Sequence, residues 1–473
     1  MLGQIVKLEA ALLLLPLIVS ICYRETNGIF AFLITIVLSL AIGFAITLIS
    51  KPKNKLIFAK EGFVIVALAW IVMSAIGALP FVLSGDIPSY IDAFFETVSG
   101  FTTTGASILT NVEGISRGLL FWRSFTHWIG GMGVLVFIMA IIPSISDRSI
   151  HIMRAEMPGP IVGKLVPRAK QTAKILYLIY IAMTVLEIIL LLFGGMSFFD
   201  SVVHSFGTAG TGGFGIYSDS IASFSPYIQW VITIFMALFG INFNLYYLIL
   251  IKRFRSAISS GELWCYIGIL LASTAIISAN IYPIYNNLSD AIRNSAFQVS
   301  SIMTTTGFST VNFNLWPELS KGILLVLMFI GACAGSTAGG LKVSRVVMLF
   351  KMIKRELKRM LHPRSVSSVK FEGKTLDSTT LNSVSSYFAL YIVIFAAIFL
   401  VLCFEPFGFE TNFSAVTACF NNIGPGFAAV GPAGSFAEYS AISKIVLSIA
   451  MLLGRLEIYP LLFALTPSTW TKK

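Results

Sequence analysis

The sequence predicts an all-α membrane protein with two N-terminal helices and four copies of one unit, in which a short helix lies between two longer ones. Two observations predict this class. Of the 473 residues, 56% are hydrophobic and 12% are charged, whereas a soluble chain of this length needs more charged surface. Apolar runs of about 20 residues also recur along the chain, and each is long enough to cross a hydrocarbon core of about 30 Å.

The clearest apolar runs define the predicted membrane-spanning helices. They cover residues 8–22, 30–49, 63–83, 119–143, 175–193 and 384–404. The first run lacks the small-residue cleavage site of a secretory signal, and a second apolar run follows directly, so we expect it to be retained as a helix. Residues 1–50 are therefore assigned to two N-terminal transmembrane helices.

The placement of basic residues predicts the topology. A net charge of +11 and a pI near 9.4 could suggest a nucleic-acid partner. However, 25 of the 33 Lys and Arg residues fall in every second connection or in the tail, within residues 51–60, 148–174, 252–255, 342–374 and 472–473. This is the positive-inside pattern, so we expect both termini in the cytoplasm and no nucleic-acid partner. The 342–374 stretch is expected to contact anionic membrane lipid or a docked regulatory protein.

Cysteine and histidine usage argues against metal and redox chemistry. The four histidines are not paired at ligand spacing, and no HExxH, GxSxG or paired-carboxylate motif occurs within the predicted membrane-spanning segments. The five cysteines show no CxxC pair and are expected to be small apolar residues in helices; they are Cys22, Cys265, Cys333, Cys403 and Cys419. We therefore expect no enzyme activity, no metal centre and no cofactor in this chain.

An internal repeat organises the rest of the chain. Thr/Gly-rich stretches read FTTTGAS, GTAGTGGFG, MTTTGFS and NNIGPGFA, and each follows a short amphipathic stretch. Each stretch contains a four-residue segment that ends in glycine (XXXG, where X is any residue). Aligning these glycines places Gly105, Gly213, Gly307 and Gly426 at equivalent positions. The resulting units are repeat 1 (51–147), repeat 2 (148–256), repeat 3 (257–374) and repeat 4 (375–473).

The amphipathic stretches are too short to span a bilayer and suit re-entrant half-helices. Non-helical backbone at membrane depth is tolerated only inside protein or along a water-filled cavity. Four copies of helix, pore helix, Gly-rich turn and helix therefore predict four turns around one pseudo-four-fold ion pore. The predicted total is ten spanning helices and four pore helices.

The composition of the turns predicts a cation filter. Rings of backbone carbonyls can replace the hydration shell of a cation, and glycine readily adopts the required backbone conformations. The C-terminal end of each pore helix also carries partial negative charge. Asp92, Glu96 and Asp200 either add a negative outer field or serve as caps and ion-pair partners. The predicted filter residues, with K⁺ at their carbonyls, are Thr102, Thr103, Thr104, Gly105, Gly210, Thr211, Gly212, Gly213, Thr304, Thr305, Thr306, Gly307, Ile423, Gly424, Pro425 and Gly426.

These stretches resemble the Trk/Ktr/HKT superfamily of cation transporters. The segments RSFTHWIGGMG, GACAGSTAGGLKV and GRLEIYP extend the resemblance, and the two additional N-terminal helices favour its TrkH branch over KtrB. The resemblance implies K⁺ uptake across the inner membrane, as a symporter or a channel. It also implies a homodimer with one pore per protomer and a cytosolic TrkA-type partner, a ring of nucleotide-binding RCK domains.

A glycine-rich run interrupts the predicted second helix of repeat 3. Glycine costs a helix about 1 kcal/mol per residue, so this run predicts a break, and its polar side chains must face protein or water. The resemblance implies an intramembrane loop that obstructs the pore below the filter, whereas the alternative is a packing kink. The predicted gate residues are Gly331, Ala332, Cys333, Ala334, Gly335, Ser336, Thr337, Ala338, Gly339 and Gly340.

Arg455 lies in the middle of the last apolar span, where a charge costs several kcal/mol unless it faces a cavity or a partner. The resemblance implies that it lies beneath the filter as a barrier and holds the loop by hydrogen bonds. A structural pair with Glu457 is the alternative. Arg123 is expected to snorkel to the outer surface without a transport role.

Two functional alternatives remain open from the sequence. The first is a Na⁺ or mixed Na⁺/K⁺ transporter of the same family. In plant relatives, serine at the first filter glycine accompanies Na⁺ preference, so Gly105 favours K⁺ without excluding Na⁺. The second is an organic-solute transporter built on inverted repeats, which would show two opposed units instead of four parallel ones.

Overall fold

The computed structural model describes residues 1–49, 59–133, 169–365 and 368–470. The basic segments at 51–60 and 148–174 lie largely outside the described residues, as do the end of the 119–143 run and the tail residues 472–473. Most of the described part is helical, and its strands form one short antiparallel hairpin, β1 (Lys370–Phe371) paired with β2 (Lys374–Thr375). The prediction of an all-α membrane protein is confirmed.

The N-terminal helices and repeat 1 fill the first part of the chain. The helices are α1 (Leu2–Leu12), α2 (Leu14–Cys22), α3 (Thr26–Ile49), α4 (Ala59–Gly77), α5 (Leu79–Ser84), α6 (Tyr90–Phe101) and α7 (Arg117–Gly131). The N-terminal pair docks through Glu25, whose carboxylate accepts hydrogen bonds from the backbone N–H groups of Arg117 and Gly118. Because these are unpaired donors of the first turn of α7, Glu25 caps that helix from a neighbouring segment.

Repeats 2 to 4 follow the same order. Repeat 2 has α8 (Ala169–Phe193), α9 (Phe198–Gly210), α10 (Pro226–Phe239), α11 (Phe243–Leu250) and α12 (Phe254–Ile258). Repeat 3 has α13 (Gly261–Tyr285), α14 (Leu288–Met303), α15 (Glu318–Ile330) and α16 (Val343–Leu361). Repeat 4 has α17 (Ser378–Leu402), α18 (Phe409–Phe420), α19 (Ala441–Arg455) and α20 (Tyr459–Leu465).

Among the described residues, six helical spans are long and apolar enough to cross a membrane. They are Leu2–Cys22, Thr26–Ile49, Glu61–Ser84, Ala173–Phe193, Gly261–Tyr285 and Ser378–Leu402. The second helices of repeats 2, 3 and 4 are interrupted instead. The α10–α11 pair bends by 90°, residues 331–342 separate α15 from α16, and residues 456–458 separate α19 from α20. The last apolar span, which contains Arg455, is therefore two helices.

The pore helices α6, α9, α14 and α18 are 12, 13, 16 and 12 residues long. Ser89, Ser197 and Asn287 begin three of them by accepting hydrogen bonds from backbone N–H groups of the first turn, which fixes their start. Each pore helix ends directly at a Thr/Gly-rich or Asn/Gly-rich stretch. The short amphipathic stretches are thus half-helices, as predicted.

Glycines let the second helices pass close to the ends of the pore helices. A Cβ added at Gly130 would lie 1.8 Å from the Phe101 carbonyl oxygen, and one added at Gly454 would lie 2.1 Å from that of Phe420. Both distances are far below van der Waals contact. The sequence thus brings α7 and α19 into backbone contact with the two stretches that follow α6 and α18.

Candidate ion pore

The four stretches after the pore helices share one backbone turn. In each, a backbone N–H donates to the carbonyl five residues earlier, in the last turn of the pore helix. The four bonds are Thr104 N to Ser99 O (2.9 Å), Gly212 N to Gly207 O (2.8 Å), Thr306 N to Ser301 O (2.8 Å) and Ile423 N to Ala418 O (2.9 Å). This common bond defines equivalent residues without reference to their side chains.

The same four turns share a pattern of φ. One residue before the common N–H, the backbone is left-handed at Thr103 (+55°), Thr211 (+54°), Thr305 (+56°) and Asn422 (+56°). One residue after it, the backbone is again at positive φ, at Gly105 (+80°), Gly213 (+73°), Gly307 (+89°) and Gly424 (+100°). Successive carbonyls alternate in direction along an ordinary extended strand. Alternation between positive and negative φ instead lets them face one side.

The repeat-4 register differs from the alignment made on sequence. The residue equivalent to Gly105 is Gly424, not Gly426, so the fourth stretch of the ring is Asn421–Asn422–Ile423–Gly424. Gly426 is not at positive φ, and its N–H donates to Val430 O at 2.7 Å. Ile423 and Gly424 remain in the ring, whereas Pro425 and Gly426 lie beyond it. The sequence NNIGPG offers two glycines two residues apart, and only the hydrogen bond to Ala418 distinguishes them.

Close contacts between successive repeats close the four turns into one ring. Each contact joins the glycine of one turn to the next repeat. A Cβ added to that glycine would collide with the carbonyl oxygen of the residue that precedes the next repeat's own ring glycine. The distances are 2.0 Å from Gly105 to Gly212 O, 2.0 Å from Gly213 to Thr306 O, 2.1 Å from Gly307 to Ile423 O and 2.8 Å from Gly424 to Thr104 O. Because the fourth repeat meets the first, all four stretches surround one axis.

Hydrogen bonds between side chains stabilise the turns. The Thr102 and Thr104 hydroxyls are 2.7 Å apart, as are those of Thr304 and Thr306. In repeat 4, Asn422 takes a different part, because its amide donates to Thr104 Oγ1 at 2.9 Å and so joins the last repeat to the first. Asn422 was not among the predicted filter residues, although an Asn at this position is well suited to a left-handed backbone.

A buried ion pair supports the outer side of repeats 1 and 2. Arg123 Nε lies 2.5 Å from Glu96 Oε1, and these side chains are 4% and 0% exposed. Glu96 also accepts from Ser107 Oγ and Ile108 N, directly after the first turn. Arg123 donates to Gly215 O, directly after the second. The expectation that Arg123 snorkels to the surface is therefore wrong. The pore helix α6 supplies a carboxylate beside it, so the guanidinium stays buried.

Asp92 and Asp200, the other two acidic residues considered from the sequence, also have partners. Asp92 lies 2.6 Å from Lys444 Nζ, and Asp200 accepts a hydrogen bond from the Tyr217 hydroxyl at 3.2 Å. Both lie in first turns of pore helices, where acidic residues are favoured. The sequence left two roles open for Asp92, Glu96 and Asp200. Their contacts are those of helix caps and ion-pair or hydrogen-bond partners.

The ring opens on one side into a cavity of about 380 Å³ lined by Gly105, Gly213, Gly307 and Gly424. Ser218, in its wall, donates hydrogen bonds to Glu113 through its backbone N–H and its hydroxyl. The hydrogen bonds from the Ser218 side chain and backbone lower the pKa of Glu113. Glu113 therefore remains ionised at neutral pH and gives this outer loop a negative charge.

On the other side of the ring lies the intramembrane loop, which we define as residues 331–342. It contains the predicted gate residues and is a break between α15 and α16, as predicted. Gly339 N donates to Thr305 Oγ1 at 2.6 Å, and a Cβ added at Gly339 would lie 2.4 Å from Asn421 O. The loop therefore packs directly against the turns of repeats 3 and 4.

The bend between α10 and α11 holds the other part of the loop. Cys333 N donates to Gly240 O at 3.1 Å, and Phe243 N donates to Gly335 O at 3.0 Å. Both partners flank the 90° bend, where the helix leaves backbone groups free for this exchange. The interruption of repeat 2 and the interruption of repeat 3 thus satisfy each other's hydrogen bonds at membrane depth.

Arg455 joins the loop to repeat 1. Its guanidinium donates to Thr103 Oγ1 (3.1 Å), Thr337 O (2.8 Å), Gly130 O (2.5 Å) and Gly131 O (2.6 Å). The last two carbonyls end α7, so the positive charge lies at the negative end of a helix dipole. Glu457 is bound elsewhere, because Arg345 Nη2 lies 2.5 Å from it. The Arg455–Glu457 pair considered from sequence is therefore not formed.

An all-α membrane fold with carbonyl-lined turns around one axis defines a membrane transport protein rather than an enzyme. The chain belongs to the TrkH family of cation transport proteins, which matches residues 28–262 and 267–471.

Relatives support this assignment along the whole chain. The Trk system potassium uptake protein TrkH of Salmonella typhimurium is 38% identical, and the match covers 99% of this chain and 98% of that protein. The Trk system potassium uptake protein TrkG of Escherichia coli is 35% identical over 99% of this chain and 97% of its own length. The crystal structure of the potassium transporter TrkH from Vibrio parahaemolyticus superimposes with a TM-score of 0.88 at 33% identity, covering 99% of this chain and 98% of that one.

The revised register predicts different effects for the two repeat-4 glycines. Gly424→Ala should change the Rb⁺/Na⁺ uptake ratio of purified protein in liposomes, because its Cβ would press on Thr104 O and Gly105. Gly426→Ala is the matched control, since its Cβ would meet Ser414 and Val430 instead. It should lower thermal stability and leave the ratio unchanged. A changed ratio in Gly426→Ala with a normal ratio in Gly424→Ala would restore the original alignment.

The Glu96–Arg123 pair predicts a large stability effect. Glu96→Ala leaves a buried guanidinium without its carboxylate, which costs about 3–5 kcal/mol, so the thermal unfolding midpoint in detergent should fall steeply. Glu356→Ala is the control, because its pair with Arg355 is partly exposed and such pairs contribute about 0–1 kcal/mol. Equal midpoints for the two variants would contradict a supporting role for Glu96.

Proposed function

We propose that this protein carries K⁺ into the cell across the cytoplasmic membrane through the ring of four turns. The observation that carries the proposal is the closure of that ring, in which each glycine abuts a carbonyl of the next repeat. The K⁺ ion is the cargo, and the chain itself needs no cofactor. The names of the relatives support K⁺ as the cargo, since they are potassium uptake proteins.

The proposed filter works by replacing water with peptide oxygens. An ion leaving the outer cavity loses its hydration shell and is coordinated by carbonyls of the ring. The four pore helices end at these turns, so the negative ends of their dipoles favour a cation and disfavour an anion. The ionised Glu113 in the outer loop adds attraction for cations at the mouth of the cavity.

The intramembrane loop and Arg455 form the proposed gate. The loop contacts Thr305 and Asn421 directly below the ring, and Arg455 adds a positive charge beside Thr103. A cation that has passed the filter therefore meets both backbone and like charge. Passage requires the loop to move away from the axis, together with release of the Arg455 bond to Thr337 O.

The proposed assembly is a homodimer with one pore per protomer, bound on the cytoplasmic side by a TrkA-type ring of nucleotide-binding RCK domains. The relatives' names refer to a Trk system, which is consistent with more than one component. The amphipathic α16 continues directly from the loop and carries basic residues in its last turn. With both termini and the basic segments in the cytoplasm, α16 is available to a cytosolic partner and to anionic lipid.

Na⁺ or mixed Na⁺/K⁺ transport is the second candidate, favoured by one observation. Repeat 4 contributes Asn422 and Ile423 where repeats 1 and 3 have threonines, so the ring is not four-fold symmetric in side-chain support. An uneven ring can hold fewer well-defined coordination sites and discriminate less between ions. Competition between Rb⁺ and Na⁺ separates the two candidates.

Gly105→Ser tests the filter. A Cβ at this position would lie 2.0 Å from Gly212 O, so the ring must distort and the hydroxyl adds another oxygen. The ⁸⁶Rb⁺ over Na⁺ uptake ratio in proteoliposomes should fall roughly tenfold, a change that corresponds to about 1.4 kcal/mol. A wild-type ratio in a correctly folded Gly105→Ser protein would count against the filter.

Removal of residues 331–340 and the Arg455→Ala substitution test the gate. Arg455→Ala removes a charge-assisted hydrogen bond to the loop worth about 1.5–3 kcal/mol, so basal ⁸⁶Rb⁺ flux without the cytosolic partner should rise about tenfold or more. Loop removal should raise it further and weaken stimulation by the partner. If both proteins keep wild-type basal flux, the loop is not a barrier.

A further inference from the structure

Two separate points of the loop region are bound by a single carboxylate oxygen. Glu262 Oε1 accepts hydrogen bonds from Ala334 N at 2.7 Å and from Ser344 N at 3.1 Å. Ala334 lies in the first half of the loop, and Ser344 lies in the first turn of α16. Glu262 itself belongs to α13, another helix of repeat 3, and is 5% exposed. One side chain thus joins the loop, the helix that follows it and the helix that begins the repeat.

The contact is suited to a strong anchor. Ser344 N is one of the unpaired donors at the start of α16, where the helix dipole favours a negative charge. Val343 and Ser344 follow Lys342, whose ammonium group turns back to Ala338 O at 2.5 Å. A single Glu262 oxygen satisfies two buried backbone N–H groups from separate segments. Without the carboxylate, two buried N–H groups lose their acceptor, which is costly at membrane depth.

A second carboxylate connects this anchor to the cytoplasmic hairpin. Glu372, between β1 and β2, accepts hydrogen bonds from Ser260 Oγ at 3.1 Å and from Glu262 N at 3.0 Å. Ser260 is the residue that caps α13. The hairpin also contacts α16, because Lys351 Nζ donates to Lys370 O at 2.8 Å. The hairpin therefore bridges the start of α13 and the helix leaving the loop.

We infer that Glu262 is the positioning residue that holds the intramembrane loop closed, and that the Glu372 hairpin transmits a cytosolic force to it. This inference rests on the proposed gate. A pull on α16 or on the hairpin displaces Ser344 and the start of α13 relative to each other. Because one Glu262 oxygen makes both contacts, a displacement of the start of α13 stretches its bonds to Ala334 and to Ser344 together. Glu262 touches no ion; it acts through the loop.

A purely architectural role for Glu262 makes a different prediction. If Glu262 only stabilises repeat 3, its removal lowers flux by damaging the fold, whether or not the loop is present. If it anchors the loop, its removal raises basal flux in the intact chain and has no effect once the loop is gone. The ion ratio is the second distinguishing readout, since an intact filter keeps its Rb⁺/Na⁺ preference.

The experiment measures basal ⁸⁶Rb⁺ flux and the Rb⁺/Na⁺ ratio in proteoliposomes without the cytosolic partner. Glu262→Ala should raise basal flux roughly tenfold, the change expected for loss of about 1.4 kcal/mol from the closed state, with an unchanged ion ratio. Glu262→Gln keeps an oxygen acceptor without the charge and should raise flux by a smaller amount. In the chain lacking residues 331–340, Glu262→Ala should add nothing. Glu318→Ala is the matched control, because Glu318 is also a first-turn acid but is exposed, at 89% of its side chain.

The outcomes separate the inference from the gate itself. Wild-type or reduced flux in both Glu262 variants, with raised flux after loop removal, would overturn the anchor and leave the gate standing. Unchanged flux after loop removal would overturn the proposed gate. If Glu262→Ala does not fold, wild-type flux in Glu262→Gln overturns the anchor. Glu372→Ala should raise flux without adding to the effect of Glu262→Ala, and additive effects would overturn transmission through the hairpin.

Discussion

Each of the four ring glycines lies with its Cα against a carbonyl oxygen of the next repeat, and this close approach constrains the structure around it. At 2.0–2.8 Å from a hypothetical Cβ, no side chain fits without moving the backbone. The pore helices must therefore end at the same depth, and the second helices must pass closely enough to support the turns. Gly130 and Gly454 meet that requirement on α7 and α19. The packing of Gly130 and Gly454 therefore follows from the close contacts within the ring.

Two arginines lie beside this ring, and they have different kinds of partner. Arg123 and Glu96 neutralise each other on the outer side, where they hold the segments after the first two turns. Arg455 donates to backbone carbonyls and a hydroxyl of three separate segments, and so it joins the loop to repeat 1. Both arginines are surrounded by protein. Arg123 pairs with a carboxylate, whereas the hydrogen bonds of Arg455 described above go to carbonyls and a hydroxyl.

The sequence predicted the fold well, because span length, charge placement and repeats depend on many residues at once. Individual partners depend on packing and were harder to predict. Arg123 was expected to reach water, since Glu96 lies 27 positions earlier and only the meeting of α6 and α7 brings them together. Gly424 could not be separated from Gly426 without the backbone hydrogen bond of Ile423. Glu262 gave no signal, because an acidic residue in a first turn is ordinary until the loop that it binds is placed beside it.

The ring is made of four linked copies within one chain, and this frees each copy from identity with the others. In an assembly of four identical subunits, any obstructing segment would occur four times, and the four would compete for one narrow space. Here one repeat carries the loop, another bends to receive it and a third supplies the arginine that fastens it. Duplicated units that differ from one another therefore allow a single loop, fastened from one side, to take the place of four identical ones.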